Sequence, residues 1–259
     1  MIHQLAFVHP DAKIGNNVTI RPFATIERNV EIGEGTIIHS NAVVMSGARI
    51  GKNCQIFPGA VISAIPQDLK FNGEETIAEV GDNTLVRECV TINRGTVAKG
   101  KTVVGNNCLL MAYCHIAHDC ILGNNIIIGN ASQLAGEVEV DDFAIISAAT
   151  LIHQFSKIGA HVMIQGGSRI SKDIPPFVTA GREPIAYCGI NSIGLRRRGF
   201  SNEEISSIQD IYRYLYMSGM NISNAIVKIE EELPGTKYRE QIVSFIKSSE
   251  RGILRGWTD

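Results

Sequence analysis

No run of apolar residues in this 259-residue chain is long enough to cross a membrane, so no membrane span is expected. No secretory leader is expected either, because a repeat is already under way at Val8. An excess of one charge is missing as well. The chain has 24 Lys and Arg against 26 Asp and Glu, and a net charge of −2 gives nucleic acid no electrostatic footprint. Both common apolar periods are also absent from the first two thirds: neither helical spacing nor strict alternation accounts for the aliphatic positions there.

A six-residue frame stands in their place. From Val8 an aliphatic residue returns at every sixth position to Ile170, filling 25 of 28 frame positions, with Asp68, Glu74 and Ala98 as the breaks. A fixed short period over most of a chain marks a solenoid, and a hexapeptide period marks a parallel β-helix. Four residues after the frame aliphatic comes a small residue, as at Ala24, Ala42, Ala60, Ser132 and Ala144. One large and one small inward side chain per hexad suit a narrow core where three short strands meet. Gly15, Gly33 and Gly51 lie 18 residues apart, and Gly105, Gly123 and Gly159 continue the series. Each coil is therefore read as three six-residue sides, with glycine expected at one corner that needs positive φ. Asn17, Asn53, Asn107 and Asn125 follow two residues after four of these glycines. Residues 8 to 170 then make roughly nine coils, each rising about 4.8 Å.

Cys54, Cys108, Cys114 and Cys120 occupy the small inward slot, and the spacing of the last three is the repeat's own. They read as core packing, no metal is expected, and unpaired thiols fit a reducing cytoplasm. Residues 63–78 and, more briefly, 97–102 interrupt the inward pattern. The first is charged and loop-like, an arm that could reach a neighbouring subunit, with Asp68, Lys70 and Phe71 as candidate site residues. After Ile170 the frame is lost among Pro175, Pro176 and Pro184. From Phe200 the pattern is helical, with a capping box of Ser201 and Glu204 ahead of Ile205, Ile208, Ile211, Tyr212 and Leu215. Further helices are expected over 223–233 and 236–249. The division is thus a β-helix over 1–190, carrying the insertion 63–78, and a C-terminal helical domain over 191–259.

The densest chemistry lies in His115-Ile116-Ala117-His118-Asp119-Cys120. Ile116 and Cys120 point inward, so His118 between them projects outward near a coil edge. The 18-residue register sets Gly100 below it, with Gly136, Gln154 and Lys172 above, and His153 beside Gln154. A histidine is a natural general base, a glycine N–H a natural oxyanion donor, and Asp119 can orient the imidazole. An ordinary surface histidine is the bland alternative.

Several blocks carry a family resemblance. They are Gln67-Asp68-Leu69-Lys70, Arg87 through Thr96 (RECVTINRGT), Leu110-Met111 with His115 to Cys120, Val140 to Ile146, His153-Gln154-Phe155, Gly159 to Met163, Pro175-Pro176, and Gly194 to Phe200. On these the chain resembles, over essentially its whole length, the hexapeptide acyltransferases, and among them the UDP-N-acetylglucosamine 3-O-acyltransferases that open lipid A synthesis. The resemblance implies a left-handed β-helix and a homotrimer with clefts between subunits. It also implies transfer of a 3-hydroxyacyl chain from acyl carrier protein to the sugar 3-hydroxyl of UDP-N-acetylglucosamine, without a cofactor or covalent acyl-enzyme. By the same resemblance His118 is the general base, Asp119 orients it, and the N–H of Gly136 holds the oxyanion. Asp68 and Lys70 hold sugar and phosphate from the adjacent subunit; His115, His153 and Gln154 contact sugar or pyrophosphate; Asn191, Arg197 and Arg198 match the nucleotide end. Gly166 matches the position that limits acyl length, and a glycine there implies a long chain. Arg196 to Arg198 also read as a solvated basic turn or a docking patch for the acidic carrier protein.

Glu137, Asn93 and Ile193 depart from the family pattern near the sugar and nucleotide contacts. Three rivals have their own discriminants. The N-acyltransferase of the same pathway carries an extra domain before its repeats. A zinc enzyme of the γ-carbonic-anhydrase type needs three histidines across an interface, whereas His115 and His118 are only three apart and His153 lies 35 beyond His118, one residue out of the two-coil register. An ice-binding solenoid needs an outward threonine ladder, which is absent.

Overall fold

The computed structural model describes residues 1–256, so the last three residues of the 191–259 domain lie outside it. The chain winds as a left-handed parallel β-helix of two- to four-residue strands. Three sheets form its sides: nine strands beginning at Phe7–Val8, eight beginning at Lys13–Ile14, and ten that include Thr19–Ile20 and end in a hairpin. Strands stack in parallel at an offset of 18 residues, as in Ile127 on Ile145 and Leu134 on Ile152. Frame aliphatics and small residues fill the interior together: Ile26, Ile56, Leu110 and Ile116 are fully buried, and so are Ala24, Ala42, Ala60 and Cys120. Each large frame side chain removed from water contributes about 1.5–3 kcal/mol. Burial raises the thiols of Cys114 and Cys120 to about 11 and about 12, which fits inert packing groups.

The corners correct the glycine expectation. Gly15, Gly33, Gly51, Gly105, Gly123 and Gly159 are not in the left-handed region. A Cβ on Gly33 would lie 2.6 Å from the Gly51 carbonyl carbon, and one on Gly159 would lie 2.5 Å from Pro176 N. Glycine is there because successive coils touch backbone to backbone. The left-handed residue comes two positions later, and it recurs at all three corners: Asn17, Phe23, Asn29, then Asn107, Tyr113, Asp119 and onward to His161. No β-branched residue occupies any of these positions, the side-chain class least able to adopt them.

The arm leaves from strand Val61–Ala64 and returns in Ile77–Val80, so both ends of the 63–78 insertion belong to strands and the free loop is 65–76. The second detour, 94–100, ends at strand Lys101–Val104. Above the coils, Val178–Gly181 continues the third sheet and pairs antiparallel with Ala186–Ile190. Four helices follow: α1 (Ser192–Arg197), α2 (Asn202–Met217), α3 (Ile222–Glu232) and α4 (Lys237–Lys247). The Ser201–Glu204 capping box starts α2, whose Ile205, Ile208, Ile211, Tyr212 and Leu215 are buried. The hairpin and α1 were not expected, since neither carries a period the frame could reveal. The seam between coil and helices is aromatic. His161 stacks between Phe143 and Phe177 at centroid distances of 4.9 and 5.5 Å, with Phe200 edge-on at 5.1 Å.

Candidate active site

His118 sits at the corner between strands His115–Ile116 and Ile121–Leu122. It lies outside the aliphatic core and is 9% exposed. Its Nδ1 lies 2.8 Å from Asp119 Oδ2, and its ring lies flat against Gly136, where an added Cβ would stand 2.6 Å from Nε2. Only glycine allows that approach. The Gly136 amide has no acceptor within the chain among the described residues, while Ala135 N and Glu137 N on either side are bonded to Ile152 O and His118 O. A glycine with an unbonded N–H and an imidazole therefore line one space.

Asp119 holds the corner in left-handed conformation and is fully buried. Its carboxylate accepts from Thr96 N at 2.9 Å, Thr96 Oγ1 at 2.6 Å and Lys99 N at 3.2 Å, while its own N–H donates to Thr102 Oγ1. Burial pushes its acidity up in pKa, but the bonds from Thr96, His118 and Lys99 outweigh it and hold the group below the ordinary carboxylate value. Asp119 is thus an ionised acceptor, and Nδ1 must be the protonated ring nitrogen. The lone pair is left on Nε2, on the cleft side. Thr96 and Lys99 were missed in the sequence because the 94–100 detour leaves the 18-residue register. The broken frame at Ala98 was the available signal.

A cleft of about 630 Å³ opens beside this dyad along the first sheet. His115, His118, Gly136, His153 and Gln154 all line it, with Gln67, Asn93, Leu134, Leu151, Arg169 and Ile170. His115 Nδ1 lies 2.7 Å from Thr91 Oγ1, and burial, then the neighbouring His118, lower its pKa. Asn93 is buried; its Nδ2 donates to Ile65 O and its Oδ1 has no partner. From the arm, Asp68 reaches His118, with Oδ2 3.9 Å from Nε2. Lys70 donates its backbone N–H to Asp68 Oδ1, and its side chain is exposed.

The remaining predicted residues lie elsewhere in a single chain. Asn191 caps α1 through Gly194 N and donates to His161 O. Arg198 donates to Phe143 O and lies over the Phe143 ring, in a separate cleft with His161, Phe177 and Tyr238; burial lowers its pKa. Arg197 is exposed at the end of α1. Gly166 is exposed at the other edge of the first sheet, where an added Cβ would meet Ala148 O at 3.0 Å. Glu137 lines a separate cleft with Lys99, Phe155 and Lys157, and Ile193 faces solvent. Among the described residues no group of three His, Cys, Asp or Glu is placed to hold a metal ion, and no helix is long and apolar enough to cross a membrane.

Comparison with known proteins bears on the whole chain. Residues 173–254 match the family described as Udp N-acetylglucosamine O-acyltransferase, Domain 2, and residues 101–136 match the bacterial transferase hexapeptide repeat. The acyl-[acyl-carrier-protein]–UDP-N-acetylglucosamine O-acyltransferase of Aliivibrio fischeri is 51% identical, the alignment covering 98% of this chain and all of the relative. Its counterpart in Thiobacillus denitrificans is 48% identical over 98% of this chain and 99% of its own. A UDP-N-acetylglucosamine acyltransferase from Bacteroides fragilis superimposes with a TM-score of 0.97 at 61% identity, covering 98% of this chain and 100% of its own. The Acinetobacter baumannii enzyme gives 0.95 at 41%, covering 98% and 99%.

Proposed function

The chain belongs to the UDP-N-acetylglucosamine O-acyltransferase family, and on that premise we propose that His118 is the general base that moves an acyl chain from acyl carrier protein to the sugar 3-hydroxyl. The single observation that carries this reading is the His118–Asp119 dyad, with Nε2 over Gly136 and open to the cleft. The 3-hydroxyl oxygen attacks the thioester carbonyl carbon while Nε2 takes its proton. The carbonyl oxygen becomes an oxyanion that accepts from the free Gly136 N–H. Collapse re-forms the carbonyl, breaks the carbon–sulfur bond and expels the carrier thiolate, which recovers the proton from His118. An ester and a free carrier thiol result. Asp119 stays ionised throughout and steadies the imidazolium, as the carboxylate of a Ser-His-Asp triad does. No thiol is used, in keeping with the buried, high-pKa Cys114 and Cys120.

His115, His153 and Gln154 hold sugar and pyrophosphate along the cleft. Gly166, small and exposed at the far edge of the first sheet, leaves room for a long acyl chain. Asp68 and Lys70 serve the sugar and phosphate, and Asn191, Arg197 and Arg198 the nucleotide end. Because one chain does not bring Lys70 and these last three residues to the cleft, the reading requires neighbouring copies, as a homotrimer provides. Leu69, fully exposed on the arm, supports an arm that docks on a neighbour. The reaction belongs to lipid A synthesis in the cytoplasm.

Purified protein mixed with UDP-N-acetylglucosamine and 3-hydroxyacyl carrier proteins of graded length tests the reading. The parent forms a UDP-sugar ester, and His118→Ala lowers kcat by roughly 10²–10⁴-fold. Comparable turnover by the variant would remove His118 as base.

A further inference from the structure

We propose that Thr96, on the 94–100 detour, is a positioning residue for the acyl transfer: its hydroxyl fixes the Asp119 carboxylate that orients and tunes His118. Thr96 Oγ1 lies 2.6 Å from Asp119 Oδ2, the same oxygen that accepts from His118 Nδ1 at 2.8 Å. The direction of that hydroxyl is fixed by its other contact. Ala98 N donates to Thr96 Oγ1 at 3.2 Å, occupying its lone pair on that side and leaving the hydroxyl proton for Asp119. Thr96 N and Lys99 N meanwhile hold Oδ1 at 2.9 and 3.2 Å. One residue thus anchors both oxygens, and Oδ2 divides its charge between Thr96 and His118.

The detour is itself clamped. Gly100 N donates to Thr96 O, Gly95 N to Ile77 O, Ile77 N to Gly100 O, and Thr76 Oγ1 donates to Gly95 O. The Arg94 guanidinium lies 5.4 Å over the Phe71 ring of the arm. A seven-residue break in a regular coil is thereby held rigid around one carboxylate. Its placement under Asp119 has a chemical consequence. A carboxylate with fewer donors is more basic and attracts the imidazolium proton more strongly, which makes His118 harder to deprotonate and lets the ring rotate. The other charged or titratable groups about the dyad are Asp68 from the arm, His115 from the first sheet, His153 and Arg169 along the same cleft, and Lys99 from the detour, whose side chain is paired with Glu139 at 2.9 Å.

The proposal rests on His118 being the base, and the test separates the two. In Thr96→Val the shape is kept and the hydroxyl is lost. The acid limb of kcat/KM is expected to move to higher pH, kcat to fall about tenfold or more, and KM for UDP-N-acetylglucosamine to stay near the parent value. Thr96→Ser, which keeps the hydroxyl, restores the limb. On an Asp119→Asn background Thr96→Val adds no further loss, because its route through Asp119 is already cut. If Val is poorly accommodated, Thr96→Ala, which only deletes atoms, goes through the same pH series with its melting temperature recorded. An unmoved acid limb in a folded variant, or a loss that persists undiminished beside Asp119→Asn, overturns the role of Thr96. Retained activity in His118→Ala overturns the underlying reading instead.

Discussion

At the scale of single residues the chemistry depends on which nitrogen of His118 carries the proton. Asp119, anionic and fed by donors from Thr96 and Lys99, can only accept, and so fixes Nδ1 as the protonated position. Asp119→Asn is therefore expected to cost far more in turnover than in binding. The new amide can turn its NH₂ toward the ring, invert the tautomer and leave a proton on Nε2 where a lone pair is needed. kcat should drop roughly a hundredfold or more, with KM for the UDP-sugar changed little; steady-state kinetics on the folded variant decide it, and a parallel loss in KM would argue for a binding role. His118, Asp119 and Gly136 were legible in the sequence because the hexad assigns each residue a direction and the 18-residue coil assigns it a neighbour above. Thr96 and Lys99 were not, because they lie in a stretch that leaves the frame.

At the scale of elements, each hexad is a two-residue strand plus a corner, and the corner's demand is a left-handed backbone rather than glycine as such. Asn107 is exposed, has φ 55° and makes no side-chain hydrogen bond among the described residues, so it isolates that demand. Asn107→Val should destabilise by about 1–3 kcal/mol, the cost of forcing a β-branched side chain into this conformation. Asn107→Gly should melt close to the parent. Equal melting of the two variants would show that the corner tolerates any backbone. The inward frame was readable because burial selects every sixth residue chemically. The corner was readable only in its residue classes, asparagine above all, and the reason for the glycines beside it needed the coil-to-coil contact distances. Helix α2 was legible from its cap and apolar spacing, whereas α1, six residues with one buried side chain, has too little surface inside to leave a pattern.

At the scale of the molecule, two surfaces hold separate parts together. His161 lies in the aromatic seam between coil and helices, and burial, then the Arg198 charge, lower its pKa to about 4. Asp142 acts in the opposite sense. Between about 6.5 and about 4 the unfolded chain binds a proton that the folded chain refuses, so stability is full above the unfolded value and declines as pH falls through this window. His161 makes no side-chain hydrogen bond among the described residues, and its Nδ1 is buried without a partner. His161→Phe should keep the stack and flatten the fall in melting temperature from pH 6.5 to 4; an unchanged slope would place the acid sensitivity elsewhere. The second surface concerns the sides of the coil. The outer column of the second sheet runs Lys13, Glu31, Arg49 and Glu79, then Val103, Ile121, Glu139 and Lys157, so that six of its eight side chains are charged and suit water. The third sheet presents Leu85, Leu109, Ile127, Ile145 and Met163 in one partly exposed stripe. The first sheet presents the cleft. The proposed homotrimer would join two different faces of each subunit and leave the remaining one to solvent, a division that these columns suit. On that proposal a single charge in the stripe should undo the assembly and the reaction together, because the residues proposed for the nucleotide end would reach a cleft only across that contact. Ile127→Glu is expected to sediment as a monomer with its coil spectrum intact and transfer nearly abolished. A trimer of full activity would mean that the apolar stripe is not the face that closes the cleft.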